Sequence, residues 1–259
     1  MKTPLSALLF DVDGTLADTE ETHRQAFNAA FLEFGLPYAW SPDQYEVLLR
    51  ISGGKERLAH FFEGLPVARE ERDRLLASVT GLHRVKTERY AELVASGGSP
   101  LRPGIARLLG EATAAGIKVG IASTTTSANV AALLDAELGS NAHKRFAVIA
   151  CGDVVPAKKP APDIYRLALA TLGLPAADAV AFEDSANGLA AARAAGLFTV
   201  VTPTRWTASQ DFGEANLTLP HLGDPGMPLD AIAAGRAGGP FLTLEALDRL
   251  LKRAAATAG

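Results

Sequence analysis

Residues 5–10, LSALLF, form a short apolar run suited to a strand buried on both faces, yet no strand pattern follows between about residues 18 and 95. A buried strand must pair, because unmet backbone N–H and C=O groups are costly away from water. Its partners therefore lie far downstream. The intervening stretch carries helical spacing instead. HRQAFNAAFLEFG places Phe27, Phe31 and Phe34 on one face and stops at Gly35. QYEVLLR, KERLAHFFEG and REERDRLLASVTGLHRVKTERYAELVAS continue that period up to a Gly/Pro linker, GGSPLRPG. Beyond it, helix and strand alternate: GIARLLGEATAAG, IKVGIAS, SANVAALLDAEL, FAVIACGD, APDIYRLALATLG, AVAFED, NGLAAARAAG and FTVVTP. Repeated βα units with apolar strands predict an α/β fold, a Rossmann-like, doubly wound parallel sheet with helices on both faces. The first strand joins that sheet, so the helical block is an all-helical cap inserted after strand 1. The expected division is a core of residues 1–17 and 98–259 and a cap of residues 18–97. After Pro203 the pattern weakens. DPGMPLDAIAAGRAGGP reads as a loop excursion and LTLEALDRLLKRAAA as a final amphipathic helix.

Open parallel sheets bind ligands at the carboxyl ends of their strands. Polar groups stand at four such ends: Asp11 and Asp13, Ser123 and Thr124, Lys158 and Lys159, and Glu183 and Asp184. Residues two apart on an extended chain point the same way, so Asp11 and Asp13 can share a site, and Gly14 permits the turn that follows. Converging carboxylates repel unless a cation sits among them. Oxygen ligands without histidine or cysteine favour magnesium, here on Asp11, Asp13, Glu183 and Asp184. Lys159, Ser123 and Thr124 add what a tetrahedral anion needs. Phosphoryl transfer accounts for every part. Asp11 would attack phosphorus and Asp13 would move the proton.

The totals exclude several other classes. With 25 Lys and Arg against 29 Asp and Glu, the 259-residue chain carries a net charge of −4 and no general pull toward nucleic acid or anionic membrane. One cysteine, Cys151, rules out an internal disulfide framework. The opening MKTPLSALLF is too short and interrupted for a secretory signal, and no stretch approaches a membrane span. A cytoplasmic monomer with no nucleic acid or membrane partner is expected.

DVDGT, AST, KKPAPDIY and FEDSANG occur in the order found in the haloacid dehalogenase-like phosphatase superfamily, which this chain resembles. The resemblance implies Asp11 as nucleophile, Asp13 as acid and base, Ser123 and Lys159 on the transferring phosphate, and Asp184 as a metal ligand supported by Glu183. DGTLADTEETHRQAFN, GGKER, LHRVKTERY and KKPAPDIYRLAL look like the CbbY-type subgroup, whose studied members are xylulose-1,5-bisphosphate phosphatases that remove an inhibitor of Rubisco. The likeness spans roughly residues 5–203 and stops short of the tail.

A doubly phosphorylated sugar needs a second anion site. Gly53 and Gly54 precede a helix whose free N–H groups bind anions, and Lys55, Glu56 and Arg57 follow, Arg57 able to make a bidentate contact. Glu20 and His23 share a helix face toward the sugar hydroxyls, with Tyr45 nearby, and Thr125 and Thr126 extend the hydroxyl run after Ser123 and Thr124. Lys158, Arg84 and Lys86 read as solvated charge. A β-phosphoglucomutase-like mutase would use the same Asp11, and DTEETH does not exclude it. A non-enzymatic phosphate-binding protein would be expected to lack Asp11, Asp13 or Asp184, and all three are present. A dehalogenase would not need the metal pair.

Overall fold

The computed structural model describes residues 5–258; residues 1–4, counted with the core above, and Gly259 lie outside it. Strand β1 (Ala7–Phe10) is followed by helices α1 (Glu20–Glu33), α2 (Pro42–Leu48), α3 (Gly54–Glu63) and α4 (Arg69–Ala95). Then come α5 (Ile105–Ala115), β2 (Lys118–Ser123), α6 (Ser127–Leu138), β3 (Val148–Cys151), α7 (Asp163–Leu172), β4 (Ala179–Glu183), α8 (Ala186–Ala194) and β5 (Phe198–Val201). The chain ends with β6 (Leu217–Thr218), α9 (Ala231–Ala237) and α10 (Leu244–Ala258). The sheet is parallel throughout, in the order β3-β2-β1-β4-β5-β6. Phe10 pairs with Ile121 on one side and Phe182 on the other, so the distant partners inferred for the first strand are β2 and β4.

The period of two along β1 sorts its side chains between two cores. Leu8 and Phe10 join Ile121, Val180, Phe182 and Val200 beneath α5, α6 and the tail helices. Ala7 and Leu9 join Ala122, Ala150 and Ala181, whose small side chains let α7 and α8 lie close on the opposite face. Helix starts follow local chemistry: the side chains of Ser41, Thr126, Ser185 and Asp230 each accept from a first-turn N–H. The last of these caps α9, which replaces part of the expected loop excursion. β6 also escaped the pattern, since two residues are too few to show alternation.

The helical block has its own apolar cluster, with Phe27, Phe31, Trp40, Leu58, Phe62, Leu82 and Val85 buried together. The two segments joining it to the sheet run side by side, with an antiparallel bridge between Ala17 and Leu101. Arg102 fixes their base. Its guanidinium donates to the carbonyls of Gly14, Thr202, Pro203 and Pro220, tying the loop after β1 to the exit of β5 and to the tail.

Candidate active site

The chain leaves β1 toward β2 and β3 on one side, then crosses to β4 on the other, so the carboxyl ends of β1 and β4 flank the point where strand order reverses. Asp11 extends β1 by one backbone bond, its N–H donating to Phe182 O at 3.0 Å. Gly14 then turns back at φ +79°, where a Cβ would sit 2.7 Å from Asp184 Cγ. Both the conformation and the space require glycine there. The loops thus bring Asp11, Glu183 and Asp184 together, with a carboxylate oxygen from each within 4.8 Å of the others.

Lys159 reaches two of these three acids. Lys159 Nζ lies 2.6 Å from Asp11 Oδ1 and 2.6 Å from Glu183 Oε1. The Tyr165 hydroxyl donates to the same Glu183 oxygen, while Glu183 Oε2 is buried without a partner among the described residues. Burial pushes the Asp11 carboxyl up to about 7, against the pull of Lys159 and with Glu183 and Asp13 adding to the rise. Burial, Asp11 and Glu183 drive Asp184 well above the usual carboxylate range. Burial opposes the charge of Lys159, but Asp11 and Glu183 hold its pKa above the ordinary lysine value. An excess of buried negative charge with an orphaned carboxylate oxygen fits a divalent cation held by oxygen ligands. The cluster could bind a metal ion on Asp11, Glu183 and Asp184.

Asp13 faces elsewhere. Its Oδ1 accepts from Thr19 Oγ1 at 2.7 Å and lies 2.8 Å from His23 Nε2. Its carboxylate stands apart from the group of three, on donors of its own. Behind His23, Lys86 Nζ lies 2.7 Å from Nδ1, so the network assigns the imidazole proton to Nε2, facing Asp13. Burial would raise the Asp13 pKa, but the charge and hydrogen bond of His23 and the bond from Thr19 outweigh it and hold the group below its usual range. Lys86 corrects the sequence reading. It is 3% exposed, burial pushes it down to about 7, and its ammonium lies 4.8 Å from the Phe27 ring centroid. Arg84 is solvated as expected, paired with Glu88.

The helical block closes over these strand ends. Glu20, His23, Gly53, Gly54, Lys55 and Arg57 line one wall of the cleft and Ser123, Thr124, Thr125 and Thr126 the other. Tyr45 is fully buried behind Glu20, donating to its Oε2 at 2.8 Å and accepting from Arg57 at 3.1 Å. Arg57 also donates to the Leu48 and Ile51 carbonyls, committing three of its five N–H donors to the block and leaving one on each terminal nitrogen. Thr126 caps α6 through Asn129 N, and Ser123 Oγ accepts from Thr125 N at 3.3 Å. At the rim, Lys55 meets Asp153 at 2.7 Å, and Lys158 meets Glu56 at 2.7 Å and Asp153 at 2.9 Å. Lys158, read as solvent-facing, is thus a bridge between block and sheet with its side chain 15% exposed.

Sequence reasoning missed other cleft residues. His83 packs on Gly54, where a Cβ would fall 2.6 Å from its Nε2, and burial together with Lys86, Lys55 and Lys158 lowers its pKa to about 3. Thr207 and Gln210 come from the segment whose pattern had faded. A lone histidine or threonine at helical or loop spacing carries no signal of its own.

The haloacid dehalogenase-like hydrolase model matches residues 5–196. The chain is 52% identical over 233 residues to Protein CbbY (plasmid) of Cupriavidus necator, covering 90% of this chain and 92% of that protein. CbbY from Rhodobacter sphaeroides, solved in complex with phosphate, gives a TM-score of 0.80 at 44% identity, over 94% of this chain and 99% of that one. A mutant of that protein, solved in complex with xylulose 1,5-bisphosphate, gives 0.78 at 45% identity, over 86% of this chain and 98% of that one.

Proposed function

Since the chain belongs to the haloacid dehalogenase-like hydrolases and, within them, to the CbbY subgroup, we propose that it is a magnesium-dependent sugar bisphosphate phosphatase that hydrolyses xylulose 1,5-bisphosphate to xylulose 5-phosphate and phosphate. The observation that carries this reading is Asp11 held by Lys159 beside Glu183 and Asp184, with Asp13 in the same cleft on Thr19 and His23.

The chemistry follows from those positions. Asp11 attacks phosphorus, the bond from phosphorus to the sugar oxygen breaks, and the leaving oxygen takes a proton from Asp13. Water then attacks the aspartyl-phosphate, giving its proton to Asp13 and releasing phosphate and free Asp11. In the ligand-free protein the partners of Asp13 favour its ionised form, the one needed for the second step. A phosphate dianion beside it favours protonation, the form needed for the first. Lys159 and Ser123 hold the transferring oxygens, and magnesium bound by Asp11, Glu183 and Asp184 would supply charge neutralisation on that phosphate. The helical block acts as a cap: Gly53, Gly54 and Lys55 receive the second phosphate at the start of α3, and Glu20 meets the sugar.

Phosphate release with magnesium is to be measured on xylulose 1,5-bisphosphate, ribulose 1,5-bisphosphate, phosphoglycolate and β-glucose 1-phosphate. Strong preference for the first is expected. Conversion of β-glucose 1-phosphate to glucose 6-phosphate with a bisphosphate primer, without net phosphate release, would refute the phosphatase and make the protein a mutase.

A further inference from the structure

Trp206 belongs by chain to the sheet and by packing to the helical block. Thr202 N donates to Glu183 O at 2.8 Å and Pro203 O accepts from Arg102 at 3.0 Å, which anchors the segment entering it to the strand ends. Yet the indole, 3% exposed, lies in the block's apolar cluster, whose other buried members all come from residues 27–85. It meets the Tyr45 ring edge-on, with centroids 5.6 Å apart and planes at 87°. Its N–H finds no acceptor among the described residues, so the ring is held by shape and apolar contact and not by a directed bond. Neighbouring residues continue the connection. Arg205 lies over the indole at 4.1 Å and pairs with Glu21, and Ser209 donates to Glu46 at 3.3 Å. On the inner side Thr207 and Gln210 line the cleft, and Gln210 accepts from Ala186 N at 2.7 Å.

We propose that Trp206 is a positioning residue for the sugar: seated in the cap on closure, it braces Tyr45 and so fixes Glu20 and Arg57 against the substrate. The inference deepens the phosphatase reading and rests on it for the substrate used. Asp11 and Lys159 lie buried at the floor of the cleft between the helical block and the strand ends, so movement of α1 and α2 away from those ends widens the path for substrate. The segment carrying Trp206 stays with the sheet, so opening withdraws the indole from its seat and closing returns it. Tyr45 then presents one hydroxyl to two cleft-lining side chains, and its ring is steadied by an aromatic edge that is present only in the closed form.

Two measurements test this. In Trp206→Ala, kcat/KM for xylulose 1,5-bisphosphate is expected to fall roughly tenfold, mainly through KM, which is one aromatic contact expressed as a ratio. Hydrolysis of p-nitrophenyl phosphate, which lacks the sugar and the second phosphate, should stay within about twofold, and Trp206→Phe should recover most of the loss. Equal losses on both substrates would overturn the proposal. Second, the chain has two tryptophans, so Trp40→Phe leaves Trp206 as the sole indole emitter. Its emission should shift to shorter wavelength when magnesium and inorganic phosphate are added. Emission unchanged by them overturns the seating on closure, and this arm reads even if Trp206→Ala does not fold. If the wild-type protein fails to hydrolyse any sugar bisphosphate, the substrate reading falls while the emission still decides the role of Trp206.

Discussion

Gly188→Ala adds one carbon at the most confined point behind the nucleophile. The new Cβ would lie 2.5 Å from Glu183 Oε1 and closer still to Oε2 and Cδ. Glu183 has no freedom to yield, being fully buried and held by Lys159 at 2.6 Å and by the Tyr165 hydroxyl. A retreat of roughly 1 Å or more takes the lysine contact past hydrogen-bond range. Breaking a buried ion pair costs about 3–5 kcal/mol and overpacking about 1–3 kcal/mol. A loss of about 4–8 kcal/mol is therefore expected, a large part of the roughly 5–15 kcal/mol that holds a domain together. Urea unfolding followed by circular dichroism measures it, with the midpoint falling by on the order of 1–2 M. The same substitution in a Glu183→Ala background should be neutral or stabilising, because alanine is favoured over glycine inside a helix by about 1 kcal/mol. Equal costs in the two backgrounds would refute the clash with Glu183 as the cause.

Asp11→Asn should abolish phosphate release while leaving the circular dichroism spectrum unchanged; turnover near wild type would remove the nucleophile from Asp11. Lys86 has a folded pKa of about 7 against 10.5 when unfolded, so between those values the unfolded chain holds a proton that the folded one has lost. Stability therefore rises with pH over that window, and Lys86→Met, by removing the titration, should flatten the rise in urea midpoint measured from pH 7 to pH 10. Asp153→Asn frees Lys55 and Lys158 of their shared partner at the rim. These pairs are largely solvated, worth about 0.2–1 kcal/mol each and screened by salt. KM for the bisphosphate should fall by roughly two- to fivefold at low ionic strength, and the difference should vanish near 0.5 M salt.

The strands through β5 and the strand-end acids were legible because each rests on local pattern. A continuous apolar run marks a buried strand, and a polar residue just past its end marks the ligand edge of a parallel sheet. The insertion was legible for the same reason, since Leu8 and Phe10 had no nearby strand to pair with. What stayed hidden depends on which face of a helix turns inward. Lys86 and Arg84 are two residues apart on α4, yet one is buried beside His23 and the other is solvated beside Glu88. Only the placement of α4 against α1 separates them. Arg57 was legible as a cleft residue but not as a donor already committed to Leu48 and Ile51. Asp13 looked like Asp11 in sequence, and Thr19 and His23 turned it away. α9 was missed because Gly235 and the flanking glycines and prolines obscured its seven residues, and Trp206 because its partners lie more than a hundred positions earlier.

The position of β1 has a consequence for synthesis from the N-terminus. Ala7 pairs with Lys118 and with Ala179, so this strand emerges with neither neighbour made. At about 5–20 residues per second, a ribosome needs roughly 10–30 s to supply the second of them. Meanwhile residues 27–85 can already gather most of the helical cluster. The nascent chain thus gathers most of its helical block before its sheet, with an unpaired apolar strand hanging ahead of it. The block's apolar cluster remains one side chain short until Trp206 leaves the exit tunnel, which ties its final packing to a sheet that has by then received its first five strands.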